Sequence, residues 1–484
     1  MKKFMSEIFL ENEMAKKLYQ KVKDLPIYDF HCHLNPKEIY EDKRYKNLTE
    51  IWLLGDHYKW RIMRAFGISE DKVTGDASHY EKFRAFCKAL PYFMGNPVYH
   101  FAHLELKKYF DLDIPICEEN ADAIWEKTSQ YMQDNVVSPR SLLKVSGVST
   151  LITTDDPLDD LKYHDLLLGE KLECRVLPCF RPDKIINIQN VDFKEYIEKL
   201  SKVTEITIDD FNSLMEATKK RIEYFLARNC LCADLSFLDF PKGKGDFYLA
   251  DSIFKRKINN EIISTEEAEE YMFCIVTRLA KIFAENDMVM QLHVGPMRNC
   301  SSTLYNQVGV DAGGDSIGNT LDIEKARNML DYIDQNGGLP KTIIFTLNPN
   351  AYYPLATLLG SFQGNGKRGK MQLGAAWWFL DHKDGIYEQL KINASTGGLG
   401  LFVGMLTDSR SFASYARHDY FRRILCSLIG SWIEKGEYSA GSDEKLVEIL
   451  EKICYYNAKE YFDKKRGVVW KCHLDGMEKT IQSK

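Results

Sequence analysis

The chain has 484 residues, 45% hydrophobic and 28% charged, with a formal net charge of -6 at pH 7. That length is ample for a large core and equals about two to four average domains, although barrels run larger as single units. The acidic balance argues against a nucleic-acid surface as the main business and suits a protein that handles small molecules.

The start, Met1-Lys2-Lys3-Phe4, is basic, but Glu7, Glu11 and Glu13 interrupt any apolar core, so no signal peptide is expected. Ile8, Phe9, Ala15, Leu18, Tyr19 and Val22 predict a helix over 6–22. An apolar run then ends in His31-Cys32-His33 and is closed by Asn35-Pro36. In a strand alternate side chains share a face, so both imidazoles point the same way and can hold one divalent metal. Two ordinary surface histidines at a turn are the bland alternative. Residues 36–138 carry no good strand. Segments 48–66, 80–90 and 121–133 read as helices, with capping signals at Asn47-Leu48-Thr49-Glu50 and Ser69-Glu70-Asp71. This stretch is expected to be a helical insertion after the first strand, with residues 1–35 and 139–484 forming the main body. Within it, Gly55-Asp56-His57-Tyr58-Lys59-Trp60-Arg61 packs titratable groups around aromatics, as a site or as a solvated helix face.

After Gly147 a rhythm begins. Short apolar runs at 148–153, 174–180, 230–237, 288–294, 342–347, 371–378 and 401–406 alternate with amphipathic segments at 193–200, 211–227, 265–286, 322–336, 353–359, 386–392 and 414–435. Nearly all-apolar strands fit a parallel sheet buried on both faces. The alternation makes the fold class α/β, and a count of about eight favours a distorted (β/α)8 TIM-like barrel over a doubly wound sheet. No Gly-x-Gly-x-x-Gly or Walker-type loop supports nucleotide binding. The polar tail beyond 467 is expected to cap or fray. The 12 cysteines lie scattered, as at Cys174, Cys179, Cys274 and Cys426, unlike a disulfide scaffold, so reduced thiols and a cytoplasmic location are expected. Cys230-x-Cys232 has no second pair nearby and reads as small buried hydrophobes. No run approaches about 18 apolar residues, so no membrane span is expected.

Barrel chemistry lies at the C-terminal strand ends. His31 and His33 fall there on the first strand, Arg181 on the third, His293 on the fifth, and Asp408 with Arg410 on the eighth. First and last strands are neighbours in a closed barrel, so Asp408 can join His31 and His33 in a site with two His and one carboxylate. Asp408 also reads as an N-cap, His293 as a core histidine and Arg181 as a surface ion pair. A metal and arginine forks at one mouth suit an anionic, oxygen-rich substrate.

Asp29-Phe30-His31-Cys32-His33 resembles the first-strand signature of the amidohydrolase superfamily. Gly55 to Arg61, Gln291-Leu292-His293-Val294-Gly295, Asp311-Ala312-Gly313-Gly314-Asp315-Ser316-Ile317, Leu347-Asn348-Pro349, Gly374-Ala375-Ala376-Trp377-Trp378-Phe379 and Phe402 to Phe412 continuing to Cys426 resemble the uronate (glucuronate) isomerase family over most of the chain. The resemblance implies an aldose–ketose isomerase acting on D-glucuronate and D-galacturonate, in a distorted barrel with a helical insertion. It implies His31, His33 and Asp408 as ligands of a divalent metal, with zinc favoured. It places Arg410 beside the reacting oxygens, adds His57 and Tyr58 from the insertion, and lines the substrate site with Arg181, His293, Arg298 and Trp378. A small-molecule hexuronate is then the partner, with a homo-oligomer left open. One departure is that many members read Asp-His-Gly at the fourth strand, where this chain has Asp234-Leu235-Ser236. A metal-dependent hydrolase of the same superfamily and a non-catalytic sugar-acid binder stay as alternatives. The hydrolase lacks a suitable fourth-strand lysine, and the intact Asp408 and Arg410 oppose the binder.

Overall fold

In the computed structural model, residues 5–463 are described, except 320, 365 and 440–442. The expectation for the tail beyond 467 therefore lies outside the described residues. Parallel strands β1 (Ile27–Asp29), β2 (Val148–Ile152) and β3 (Arg175–Leu177) form one ladder. β4 (Cys232–Phe237) and β5 (Val289–Val294) begin a second. Two short antiparallel strands, β6 (Pro296–Met297) and β7 (Ser316–Ile317), pair with each other. β8 (Thr342–Thr346) and β9 (Met371–Leu373) complete the second ladder in the order β4-β5-β8-β9. Single parallel bridges, Asp155 to Phe180 and Phe180 to Ala233, carry the sequence of strands from one ladder to the other. Helices such as Phe211–Leu226, Thr265–Glu285 and Ile323–Gln335 lie between successive strands, and Lys383–Thr396 follows β9. The arrangement is the distorted (β/α)8 type.

The distortion has a local cause at the eighth position. Residues 402–410 form no ladder strand. Gly404 sits at φ +83, where a Cβ would lie 2.3 Å from Ile453 O, so the extended run is broken there. Side chains take over the backbone carbonyls that a ladder would satisfy: Asn457 Nδ2 donates to Gly400 O and Phe402 O, and Gln372 Nε2 to Leu401 O. At the site end the chain does meet the first strand. Asp408 N donates to His31 O (3.1 Å) and His33 N to Ser409 O (2.9 Å). β1 itself ends at Asp29, shorter than expected, so His31 and His33 sit just past the ladder on backbone that these bonds hold extended.

Other boundaries also shift. The first helix begins at Glu13, not residue 6, because the Asn12 side chain caps it by accepting Ala15 N at 2.7 Å. The expected helix 48–66 is two, Leu48–Trp52 and His57–Ala65, and Asp56 restarts the second by accepting Tyr58 N and Lys59 N. Asn47 does cap Leu48–Trp52, whereas Ser69 makes no capping bond and Glu70 is engaged by Arg64. The helix Pro97–Phe110 starts at Asn96-Pro97, an N-cap followed by proline at the first helical position. Between β1 and β2 the described elements are all helical. Among the described residues no helix is long and apolar enough to cross a membrane.

Asp29 joins the first and eighth units. It is fully buried and accepts from Thr407 N (2.9 Å) and Thr407 Oγ1 (2.5 Å). Asp29→Ala leaves both donors without a partner, so a loss of about 2–3 kcal/mol is expected, read as a lower urea midpoint. An unchanged midpoint would mean that this seam carries no stability.

Candidate active site

The seam opens into a cavity of about 460 Å³, lined by every site residue named from the sequence: His31, His33, His57, Tyr58, Arg181, His293, Arg298, Trp378, Asp408 and Arg410. His31 Nε2 lies 3.1 Å and His33 Nε2 3.0 Å from the same oxygen, Asp408 Oδ1. The two rings stand edge to face at 5.1 Å between centroids. Behind them, Asp234 on β4 holds His293 Nδ1 at 2.6 Å, Arg181 Nη1 at 3.3 Å and His31 Nδ1 at 3.8 Å. Arg181 Nε also donates to Asp183 (2.9 Å), whose other oxygen accepts Ser236 N.

Burial alone would raise the Asp408 carboxyl, but hydrogen bonds from His31 and His33 hold it well below the usual carboxylate range. Burial is likewise opposed at Asp234, where Arg181, His293 and His31 keep the group ionised. Burial drives His33 down to about 4 and lowers His57 and His293. His31 is the exception: burial disfavours its charge, yet Asp234 and Asp408 outweigh that and raise it. The Tyr58 phenol is pushed well up by burial and then by Asp408, so it keeps its proton at neutral pH.

Two groups of three side chains could hold a cation: His31, His33 and Asp408, and His31, Asp234 and His293. The first fits a divalent ion, with two imidazole nitrogens and one carboxylate oxygen converging and room left for substrate oxygens. Buried His31 Nδ1, Asp234 Oδ2 and His293 Nε2 have no hydrogen-bond partner, which also suits a polar occupant. Arg181 already neutralises Asp234, so the second group is the poorer cradle.

At the mouth the arginines are spoken for. Arg410 Nη2 donates to Asp311 at 2.8 Å, and Arg298 Nη1 to Asp315 at 2.9 Å with its guanidinium 4.7 Å from the Trp378 ring. Arg61 reaches Gly313 O and Asp315 O, so the helix His57–Ala65 and the segment after β6 are stitched together. The His57 and Tyr58 rings lie 4.7 Å apart, and His57 meets Trp378 edge-on at 5.9 Å.

Several groups at or just behind the cavity wall escaped the sequence reading. Asp234 appeared only as part of a departure, yet a lone carboxylate amid Cys232, Ala233 and Leu235 was a readable signal. Side chains alternate along β4, and Ser236, two residues from Asp234, lines the cavity, whereas Leu235 is buried in the core outside it. Thr154, two residues past β2, carries no sequence signal of a site group. It pairs with His33 Nδ1 at 2.8 Å and so sets which ring nitrogen faces Asp408. Thr154→Val is expected to weaken retention of a divalent ion about tenfold, measured by metal content after dialysis against chelator. Equal retention would mean that the Thr154 contact does not tune the ligand.

The chain is similar to known proteins along nearly its whole length. Residues 1–462 match the family model described as Glucuronate isomerase. A uronate isomerase of Brachyspira hyodysenteriae is 50% identical over 472 residues, covering 96% of this chain and 100% of that protein. One from Caldanaerobacter subterraneus subsp. tengcongensis is 50% identical over 466 residues, covering 95% and 99%. The crystal structure of a uronate isomerase from Thermotoga maritima superposes with a TM-score of 0.90 at 31% identity, over 96% of this chain and 100% of that one. That of a glucuronate isomerase from Caulobacter crescentus gives 0.88 over 96% and 98%, and at 23% identity it speaks for the fold alone. The chain belongs to the glucuronate isomerase family.

Proposed function

We propose that this chain interconverts D-glucuronate with D-fructuronate, and D-galacturonate with D-tagaturonate, as an aldose–ketose isomerase of hexuronate catabolism in the cytoplasm. Family membership supports the isomerase activity. The single observation that carries the site assignment is the meeting of His31, His33 and Asp408 at one carboxylate oxygen inside a cavity rimmed by arginines. His31, His33 and Asp408 would hold a divalent metal, with Zn²⁺ the choice that this donor set favours. When bound, the ion supplies a positive charge that orients the sugar acid through its oxygens.

The chain's own groups then divide the proton work. Isomerisation removes the proton from C2 of the open-chain aldose and returns one to C1, while O1 gains a proton and O2 loses one. Asp408, at the floor of the cavity, is the shuttle between the carbons. Tyr58, which keeps its proton, donates to O1, and neutral His57 accepts from the O2 hydroxyl. Negative charge develops on the enediolate oxygens, and Arg410 stabilises it once substrate draws the guanidinium from Asp311. Arg181, His293, Arg298 and Trp378 line the remaining wall and hold the substrate. In this reading residues 1–35 and 139–484 build the barrel and metal site, and the insertion 36–138 delivers His57 and Tyr58.

Purified protein supplied with Zn²⁺ is expected to convert D-glucuronate to D-fructuronate, followed by chromatography of the two uronates. Cleavage of an amide or lactone with neither uronate converted would overturn the isomerase reading. Arg410→Ala is expected to lower kcat by about 100- to 1000-fold with the circular-dichroism spectrum unchanged. Wild-type turnover in that variant would show that the enediolate charge is met elsewhere.

A further inference from the structure

Below the Tyr58 ring lies a buried group of charges that the steps above do not use. Asp56 Oδ2 accepts Lys59 Nζ at 2.7 Å, and Lys59 Nζ lies 3.8 Å from Glu105 Oε2. All three belong to the insertion's helices and their caps. Arg417 enters from the other side, as the second residue of the helix Ala416–Glu434. Its side chain is 3% exposed. The guanidinium lies 5.2 Å from the Tyr58 ring centroid and 4.6 Å from that of Phe101. Nη1 donates to Thr407 O at 3.3 Å and stands 3.5 Å from Asp381 Oδ2. Thr407 immediately precedes Asp408, and Asp381 closes the turn Trp378–Leu380.

One cation therefore touches the insertion, the turn that carries Asp408 and the turn that carries Trp378. A purely structural role accounts poorly for it. A buried ion pair gives little stability that a hydrophobic side chain of similar volume would not also give. This one is also incompletely satisfied, because Arg417 Nε and Asp381 Oδ1 lack hydrogen-bond partners. What the guanidinium offers instead is direction: a planar cation fixes an aromatic face, a carbonyl and a carboxylate relative to one another. It also partly opposes the upward pull that burial and Asp408 exert on the Tyr58 phenol.

We infer that Arg417 is a positioning residue for the isomerisation, setting the Tyr58 phenol in register with Asp408 across the junction between insertion and barrel. The inference rests on the proposed role of Tyr58, and its test separates the two. Four holoenzymes are compared for kcat, KM and bound metal: wild type, Tyr58→Phe, Arg417→Lys and the double variant. Arg417→Lys keeps the charge but not the planar fork. It is expected to lower kcat about 30- to 100-fold, with KM changed less than about threefold and metal stoichiometry unchanged. In the Tyr58→Phe background the same substitution is expected to cost less than about threefold, because the group it positions has gone. Asp381→Asn, which releases the guanidinium from its carboxylate, should repeat this pattern at about tenfold and serves if Arg417→Lys fails to fold. Full kcat in both Arg417→Lys and Asp381→Asn, or additive losses beside an impaired Tyr58→Phe, would overturn the inference. Wild-type turnover in Tyr58→Phe alone would remove the role of Tyr58 and the inference with it.

Discussion

Asp408 Oδ1 is within 3.1 Å of two imidazole nitrogens, and this three-way contact exists only because the first and last β/α units are adjacent. Asp29 provides the clamp from below by binding Thr407, and the backbone bonds between 31–33 and 408–409 provide it at the site. The outer layer repeats the closure: the helices Glu13–Val22 and Ala416–Glu434 are joined by Tyr19, Asp419 and Arg423. With the seam fixed, Asp234 takes up the backs of both His31 and His293, and Arg181 balances the charge. Asp408 and Asp234 are thus held ionised by their neighbours, which burial alone would not permit.

Three of the twelve non-glycine residues at positive φ among the described residues lie in the same place. Asp408 (φ +46), Trp378 (φ +50) and Asp311 (φ +55) all line the cavity in the left-handed region. The two aspartates adopt it at modest cost, but a tryptophan does so only where its surroundings determine it. Trp378 is wedged between the Trp377 and Phe379 rings and under Arg298. The turn from β9 therefore aims the indole into the cavity in place of continuing the strand, which is why the ladder expected over 371–378 stops at Leu373.

Much of this was legible in the chain. The strand–helix alternation gave the architecture, because a parallel sheet covered on both faces leaves nearly continuous apolar runs. The convergence of His31, His33 and Asp408 was legible because imidazoles and a carboxylate at strand ends carry both residue type and position. Asp234 was legible only by residue type: a lone carboxylate in an apolar strand stands out, but its partners His293 and Arg181 lie on other β/α units. The eighth strand failed for the converse reason. Residues 401–406 look like β1 or β8 in composition, but the fate of their backbone groups is decided by Gln372 and Asn457, remote in sequence. Pairings such as Arg410 with Asp311, or Arg417 with Tyr58, are set by packing of elements that no local pattern connects.

The separation of His31 from Asp408, 377 residues along the chain, has a consequence for biosynthesis. A ribosome extends the chain from the N-terminus, so His31 and His33 are made long before their third partner. Until Asp408 has left the ribosome, the early histidines have no Asp408 to share. Until the helix Ala416–Glu434 has followed, Glu13–Val22 has no surface on which to dock. The growing protein therefore waits with both edges of its sheet open, a state that chaperones recognise and that favours sticking to neighbours. The join that completes the cavity therefore forms late in synthesis, once Asp408 has emerged.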